Sequence, residues 1–524
     1  MTTMKRRTLR AGMASLLAAS VLAGCALVPV LEEGQSLWPP APGEPSDPGT
    51  SVIDADLGPE LLGFYQQTLE FRACYSGLEC FTVLAPLDWD NPTKGTIELE
   101  GVRTRAAGTR VGSLLVNPGG PGGSAIDQVA QYGRMSFGRE LHESFDLVGV
   151  DPRGVGQSTP ITCFASTEDK DEYLLEIVTL PQGSDEWFAF AAEEMREYAE
   201  QCERLSGPVI GYVDTMSAAR DMDLVRALLG EPQLYYLGFS YGTYLGSMYA
   251  ELYPHRVGRL VLDGAVNPDE DAFEGSLAQA KGFDSALLAY LQQCLSRRDC
   301  PLSGTPERAA QQLVDYLLTL DDRPIRNVDG RLMGTSAAVI AVITPLYAED
   351  TWMYLDMVID GLLDRDPMMA FVMFDAYASR VNGEYTGNGM EAIGAINCLD
   401  TDVSDVTIEQ LRAEAEVLQR EAPYFGQFLS YGGYSCTQWP WKHRGYPDLR
   451  AEGAAPILVI GTTNDPATPY ASAVHLAEKL DSGILITFEG EGHTAYGQQN
   501  ACIVAVVHDY LIRGAVPESD PRCS

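Results

Sequence analysis

Positive charge is scarce in this chain. Its 524 residues hold 36 Lys or Arg against 73 Asp or Glu, a net charge of −37. Four of the basic residues fall in residues 1–24, which have no acidic residue, so the remainder is more acidic still. That balance argues against nucleic acid and against an anionic membrane surface as partners. A solvated acidic face explains it simply; attraction of a cationic ligand, such as a free peptide amine, explains it more sharply. Histidine numbers only 6. No two cysteines stand in Cys-x-x-Cys spacing and no His cluster accompanies them, so zinc is not expected and neither is any other cofactor. The most Gly-rich loop is not followed by Gly-Lys-Ser/Thr, which disfavours a phosphate loop. Long apolar runs are missing too: the stretch from Ala11 falls short of the about 20 residues that span a bilayer. No internal repeat is visible. What is there, 45% hydrophobic and 21% charged, is the make-up of a globular protein with a large core.

The most telling segment is Leu234-Tyr-Tyr-Leu-Gly-Phe-Ser-Tyr-Gly242. An apolar run reads as a buried strand, and Thr243 to Leu252 reads as a helix. Between them Ser240 has Gly on both sides at a distance of two. A turn that tight leaves no room for flanking side chains, and it exposes Ser240 Oγ at the carboxyl edge of a sheet. It also aims the Tyr241 N–H at any oxyanion formed there. Upstream, the strand Ser113-Leu-Leu-Val116 runs into Asn117-Pro-Gly-Gly-Pro-Gly-Gly-Ser124, where Gly120 is the expected second donor. The strand Phe145 to Val150 leads into Asp151-Pro-Arg-Gly-Val-Gly-Gln-Ser158, a loop expected to brace the site, with Asp151 and Arg153 paired structurally. Downstream, the strand Pro456 to Gly461 ends at Asp465, and the strand Ile484 to Phe488 precedes Gly490-Glu-Gly-His493. An acid and then a base after successive strands, in the order Ser, Asp, His, is what nucleophilic acyl transfer at a sheet edge requires.

Together these segments resemble the α/β-hydrolase fold. More narrowly they resemble the secreted tripeptidyl aminopeptidase and proline iminopeptidase group of bacterial serine exopeptidases. Val83-Leu-Ala-Pro-Leu-Asp-Trp-Asp-Asn-Pro92, Val261-Leu-Asp-Gly264 and Cys436-Thr-Gln-Trp439 also carry the likeness. Proline iminopeptidases typically have His where Pro118 stands, which favours the tripeptidyl type. The resemblance implies an α/β-hydrolase core with a mostly parallel sheet, helices on both faces and a mainly helical cap between strands 6 and 7. It does not settle whether the bond cleaved is a peptide or an ester.

The N-terminus reads Lys5-Arg-Arg-Thr-Leu-Arg10, a short apolar stretch, then Leu22-Ala-Gly-Cys25. This is the layout of an export signal, and Leu-Ala-Gly-Cys is similar to a bacterial lipobox, implying a lipid anchor on Cys25 and a place in the cell envelope. Residues 1–24 are thus expected to be a signal, 25–56 a Pro-rich tether, 57–265 and 446–524 the core, and 266–445 the cap. Helices are expected there at Phe283–Cys294, Pro306–Leu320, Ser336–Tyr347, Met353–Leu363 and Ile408–Arg420. Ten cysteines remain in an exported chain, so disulfides are the default. Neighbour pairing would join Cys74 to Cys80, Cys163 to Cys202, Cys294 to Cys300, Cys398 to Cys436 and Cys502 to Cys523, although sequence does not fix connectivity.

The expected activity is removal of N-terminal residues from peptides by a monomer, with His493 as base, Asp465 orienting it, and Gly120 and Tyr241 holding the oxyanion. A free substrate amine also needs a carboxylate at a fixed distance; Asp400, Glu349 and Asp350 are the candidates. A carboxylesterase or lipid hydrolase with the same triad is the rival, and an inactive binding protein on this scaffold a further one.

Overall fold

The computed structural model describes residue 53, residues 57–518 and residues 520–524. The expected signal, most of the tether and Cys25 lie outside the described residues. A sheet of ten strands forms the centre, in the order β1-β2-β3-β5-β4-β6-β7-β12-β13-β14. Its first strands are β1 (Arg72–Cys74), β2 (Leu78–Pro86) and β3 (Thr96–Arg103), which pair antiparallel. From β4 (Gly112–Asn117) and β5 (Phe145–Val150) onward the pairing is parallel, through β6 (Leu234–Phe239) and β7 (Val257–Asp263). Two short antiparallel hairpins follow in sequence, β8 (Ile325–Arg326) with β9 (Leu332–Met333) and β10 (Arg380–Val381) with β11 (Glu384–Tyr385). The sheet resumes with β12 (Ile457–Asn464), β13 (Gly483–Glu491) and β14 (Arg522–Cys523).

The central strands are buried on both faces, which is why they read as unbroken apolar runs. Side chains still alternate between faces. Leu115, Leu260, Leu262 and Val459 join one core, while Leu114, Val116, Val261, Leu458 and Ile460 join the other. Since β4, β6, β7, β12 and β13 run in one direction, the loops after them meet at one edge. Ligands of open parallel sheets bind at that carboxyl edge.

Between β7 and β12 the chain is mainly helical, with a core of its own that includes Phe283, Leu287, Leu313, Val342, Leu355 and Phe374. Each such side chain contributes roughly 1.5–3 kcal/mol by leaving water. Helices span Ala272–Leu295, Pro306–Leu317, Thr335–Ile343, Trp352–Leu363 and Ile408–Glu421, near the expected positions. Three more, Met368–Tyr377, Gly389–Asp400 and the single turn Tyr434–Thr437, were not expected. The second departs from the rest of the insertion: Ala392, Ala395, Ile396 and Leu399 pack into the main core beneath the sheet edge.

Five disulfides join Cys74 to Cys80, Cys163 to Cys202, Cys294 to Cys300, Cys398 to Cys436 and Cys502 to Cys523. No described helix is long and apolar enough to cross a membrane.

Candidate active site

β6 delivers Ser240 at φ 55° and ψ −123°, and a helix, Tyr241–Leu252, starts at the next residue. L-residues rarely occupy that region, so the surroundings must hold the turn. Ser240 N–H donates to Asp263 O at 2.9 Å, and Thr243 closes on Ser240 O through its N–H at 2.8 Å and its hydroxyl at 2.6 Å. A Cβ on Gly242 would meet Asn117 Oδ1 at 2.9 Å, and one on Gly238 would meet Gly242 O at 2.5 Å. Both flanking glycines are therefore forced. Tyr241 N–H opens the helix, where no preceding turn supplies a carbonyl.

The loop after β4 lies against this turn. A Cβ on Gly119 would stand 2.9 Å from Ser240 Cβ and 3.2 Å from Tyr241 N, which sets the Gly119–Gly120 peptide beside the serine. Gly119 N–H donates to Asn117 Oδ1 at 2.9 Å, and Gly123 N–H to Gly119 O at 3.0 Å. Ser124 caps the Ala125–Ser136 helix and gives its hydroxyl hydrogen to Asp151 Oδ1 at 2.7 Å.

On the other side, Asp465 follows β12 and His493 follows β13. His493 Nδ1 stands 2.9 Å from each Asp465 oxygen. Burial opposes a charge on His493, but the Asp465 carboxylate and then Asp263 outweigh it and hold its pKa above the ordinary 6.5. Thr468, which sequence reasoning passed over, donates its hydroxyl to Asp465 Oδ2 at 3.1 Å and lies 3.2 Å from His493 Nδ1. The cap touches this loop directly: His493 N–H donates to Tyr347 O at 2.7 Å, and the two rings meet edge to face, centroids 5.5 Å apart.

Asp263 ties the halves together. Its carbonyl holds Ser240, while its buried carboxylate accepts Ala495 N–H at 2.9 Å and Tyr496 N–H at 2.8 Å. Burial pushes its pKa up to about 6 against those bonds. The next residue, Gly264, is so close to His493 that a Cβ there would lie 3.1 Å from Cε1. The structure thus brings Ser240, Asp465 and His493, with Gly120 and Tyr241, to one end of the sheet.

The other expected residues fall differently. Arg153 and Asp151 do not pair with each other. Arg153 is fully buried and grips Asp221 with two bonds, of 2.6 and 2.7 Å, and three carbonyls besides. A guanidinium carries five N–H donors, more than one carboxylate can accept. Asp151 instead accepts Ser124, Ile126 N–H and Gln157 N–H, with its pKa raised to about 6 by burial. Glu349 and Asp350 are exposed, just after Tyr347, and Glu349 takes a hydrogen bond from Gln293 at 3.2 Å. Asp400 is engaged by residues outside the triad. It sits behind the elbow helix and accepts Thr215 N–H at 2.9 Å, the Thr215 hydroxyl at 2.6 Å and the Tyr446 hydroxyl. Burial raises its pKa to about 7. Among the described residues no group of three or more His, Cys, Asp or Glu is arranged to hold a metal.

Comparison with known proteins fits this geometry. Residues 112–343 match the family described as alpha/beta hydrolase fold, and residues 422–523 the one described as TAP-like protein. Serine protease Hip1 of Mycobacterium tuberculosis is 37% identical over 489 residues, 87% of this chain and 91% of that protein. This chain belongs to the α/β-hydrolase serine exopeptidase family. Tripeptidyl aminopeptidase of Streptomyces lividans is 30% identical over 460 residues, 85% of this chain and 84% of that protein. Carboxylesterase B of M. tuberculosis is 34% identical over 497 residues, 92% of this chain and 93% of that protein. The protein is a serine hydrolase. Its relatives' names divide over the bond that is cleaved.

Proposed function

We propose that this serine hydrolase removes short N-terminal segments, such as tripeptides, from peptides. The observation that carries the reading is the Asp465–His493 pair standing next to the Ser240 elbow under a cap. His493 Nε2 takes the Ser240 proton as Oγ attacks the substrate carbonyl carbon. Asp465 keeps the remaining ring proton on Nδ1 and stabilises the imidazolium. The negative oxygen is held by Gly120 and Tyr241 N–H groups, each contributing about 2.7–4 kcal/mol. Collapse breaks the C–N bond, His493 gives its proton to the departing amine, and water repeats the cycle to free the acid.

The relatives named serine protease and tripeptidyl aminopeptidase favour a peptide substrate over an ester. Of the three carboxylates considered for the substrate amine, Asp400 is occupied by its own neighbours, which leaves Glu349 and Asp350. They follow Tyr347, the residue seated on His493, and are open to a ligand. The Leu22-Ala-Gly-Cys25 segment supports export and lipid anchorage of the enzyme to the cell envelope through Cys25.

A second reading, carboxylester hydrolysis, is favoured by the similarity to Carboxylesterase B. One experiment separates them: hydrolysis of free-amine and N-acetylated tripeptidyl and dipeptidyl fluorogenic amides and of simple esters, by the protein and its Ser240→Ala variant. Turnover of free-amine peptides alone, lost in the variant, is the expected result. Equal or faster turnover of blocked peptides or simple esters overturns the exopeptidase reading.

A further inference from the structure

The Gly389–Asp400 helix runs from the glycine loop at Gly122 to Thr215, which touches the Tyr241 hydroxyl. Its first turn lies on the glycine loop: a Cβ on Gly122 would stand 2.7 Å from Gly389 O and 3.3 Å from Ala392 Cβ. Asn388, just ahead of it, is locked to the loop after β5. Its amide hydrogens go to Gly154 O and Ile161 O, both at 2.8 Å, and its oxygen accepts Gly156 N–H at 2.8 Å. A buried ion pair, Lys170 with Glu391 at 2.6 Å, fixes the same turn. At the far end the Cys398–Cys436 disulfide anchors the last turn two residues before Asp400.

Asp400 is where that end meets the elbow. Its Oδ1 accepts Thr215 N–H and the Tyr446 hydroxyl, and its Oδ2 accepts the Thr215 hydroxyl. A hydroxyl has one hydrogen. With Asp400 ionised, Thr215 gives its hydrogen to the carboxylate, so in its contact with Tyr241 it must accept the phenol's. The direction of donation is thus set from the carboxylate outward, Tyr241 to Thr215 to Asp400. Tyr241 follows Ser240, and its N–H is one of the two oxyanion donors of the proposed reaction.

We propose that Asp400 is a positioning residue for the oxyanion site, acting through Thr215 to fix the Tyr241 side chain and with it the direction of the Tyr241 N–H. The role rests on Ser240 being the nucleophile and is indifferent to whether the substrate is a peptide or an ester. It also accounts for a half-buried carboxylate that binds no part of the triad. An oxyanion donor works only where it points at charge that appears in the transition state, so a small rotation lowers kcat and leaves ground-state binding alone.

The test measures kcat and KM on a p-nitrophenyl ester and on a tripeptidyl amide for Asp400→Asn, Thr215→Val, Tyr241→Phe and the Asp400→Asn/Tyr241→Phe pair. Affinity for a peptide boronic acid, whose bound oxygen occupies the oxyanion position, is measured alongside. Activity abolished by Ser240→Ala first establishes the nucleophile, so a failure there is a failure of the reaction scheme and not of this role. Each single variant is expected to lose about ten- to a hundredfold in kcat with KM within about twofold, and a matching factor in boronic acid affinity. The pair should lose no more than the worse single variant, because both act on one chain of bonds. Tyr241→Phe keeps the backbone amide and removes only the outermost hydroxyl, so it carries the test should Asp400→Asn fail to fold. An unchanged kcat in Tyr241→Phe overturns the proposal. So do losses that multiply in the pair, or a change confined to KM.

Discussion

Replacing Asp465 with Asn alters one atom and probes the whole relay. Oδ1 accepts the N–H groups of Ala467 and Thr468, each at 2.9 Å. Oδ2 accepts Thr494 N–H at 3.2 Å and the Thr468 hydroxyl at 3.1 Å, and His493 Nδ1 lies 2.9 Å from both oxygens. An amide has one oxygen to offer. Two backbone donors converge on Oδ1, so the oxygen stays there and the NH₂ takes the place of Oδ2. Its hydrogens then face Nδ1, which must accept, and the ring proton moves to Nε2. An Nε2–H cannot take the Ser240 proton. Such a change of tautomer costs about 10⁴ in kcat, or about 5 kcal/mol of barrier at 1.36 kcal/mol per tenfold. Losing a charge-assisted bond also lowers stability, by about 1.5–3 kcal/mol. The assay is steady-state kcat on an ester and a peptide amide, with thermal denaturation of both proteins to confirm folding. A folded variant within about a hundredfold of the parent enzyme would refute the tautomer argument.

His493 must be neutral to act, and its pKa is held above 6.5, so kcat/KM should fall as pH drops through a midpoint above that value; a midpoint below it contradicts the Asp465 and Asp263 effect. Stability should move the other way. Asp263 and Asp151 are both raised from 3.8 to about 6 by burial. Their contribution is full below pH 3.8, where unfolded and folded chains both hold the proton, and is lost as pH rises through about 6. Each amounts to about 3 kcal/mol, so urea midpoints should increase from pH 7.5 to about pH 5. Arg153→Met leaves the buried Asp221 carboxyl without its ionic partner, held by the Trp89 indole N–H, and should cost about 3–5 kcal/mol in urea unfolding. Replacing Cys163 and Cys202 by Ala opens a link 39 residues apart in sequence and should cost about 4 kcal/mol by the chain-entropy estimate.

The elbow could be read from sequence because its signal is local and steric: Gly238 and Gly242 are forced by atoms within a few ångströms of the turn. Asp465 and His493 were legible because buried parallel strands announce their own carboxyl ends. The partners that hold the site were not. Asp400 meets Thr215 across 185 positions, and Arg153 meets Asp221 across 68. No local pattern reports which distant carboxylate will close on a given donor, which is why Asp151 looked like the natural mate of Arg153. The Met368–Tyr377 helix escaped notice because six of its ten residues are buried and it has scarcely a polar face to set a period. The Gly389–Asp400 helix packs its apolar positions against the main core, a distant partner that no local pattern names. Asp263 was visible only as part of a motif; that its carbonyl and carboxylate serve two different loops is a property of the folded chain.

The ten described cysteines are joined in the order in which they occur, each to the next one along, so that no linked loop contains or crosses another. A chain handed to an oxidant N-terminus first would present each pair complete before the following pair emerged. With the Cys25 thiol blocked, as the proposed lipid anchor would block it, bonding whatever two thiols are at hand would then yield the native set. The covalent framework is in this sense assembled by counting, and an enzyme that only makes such bonds, without reshuffling them, would suffice to build it.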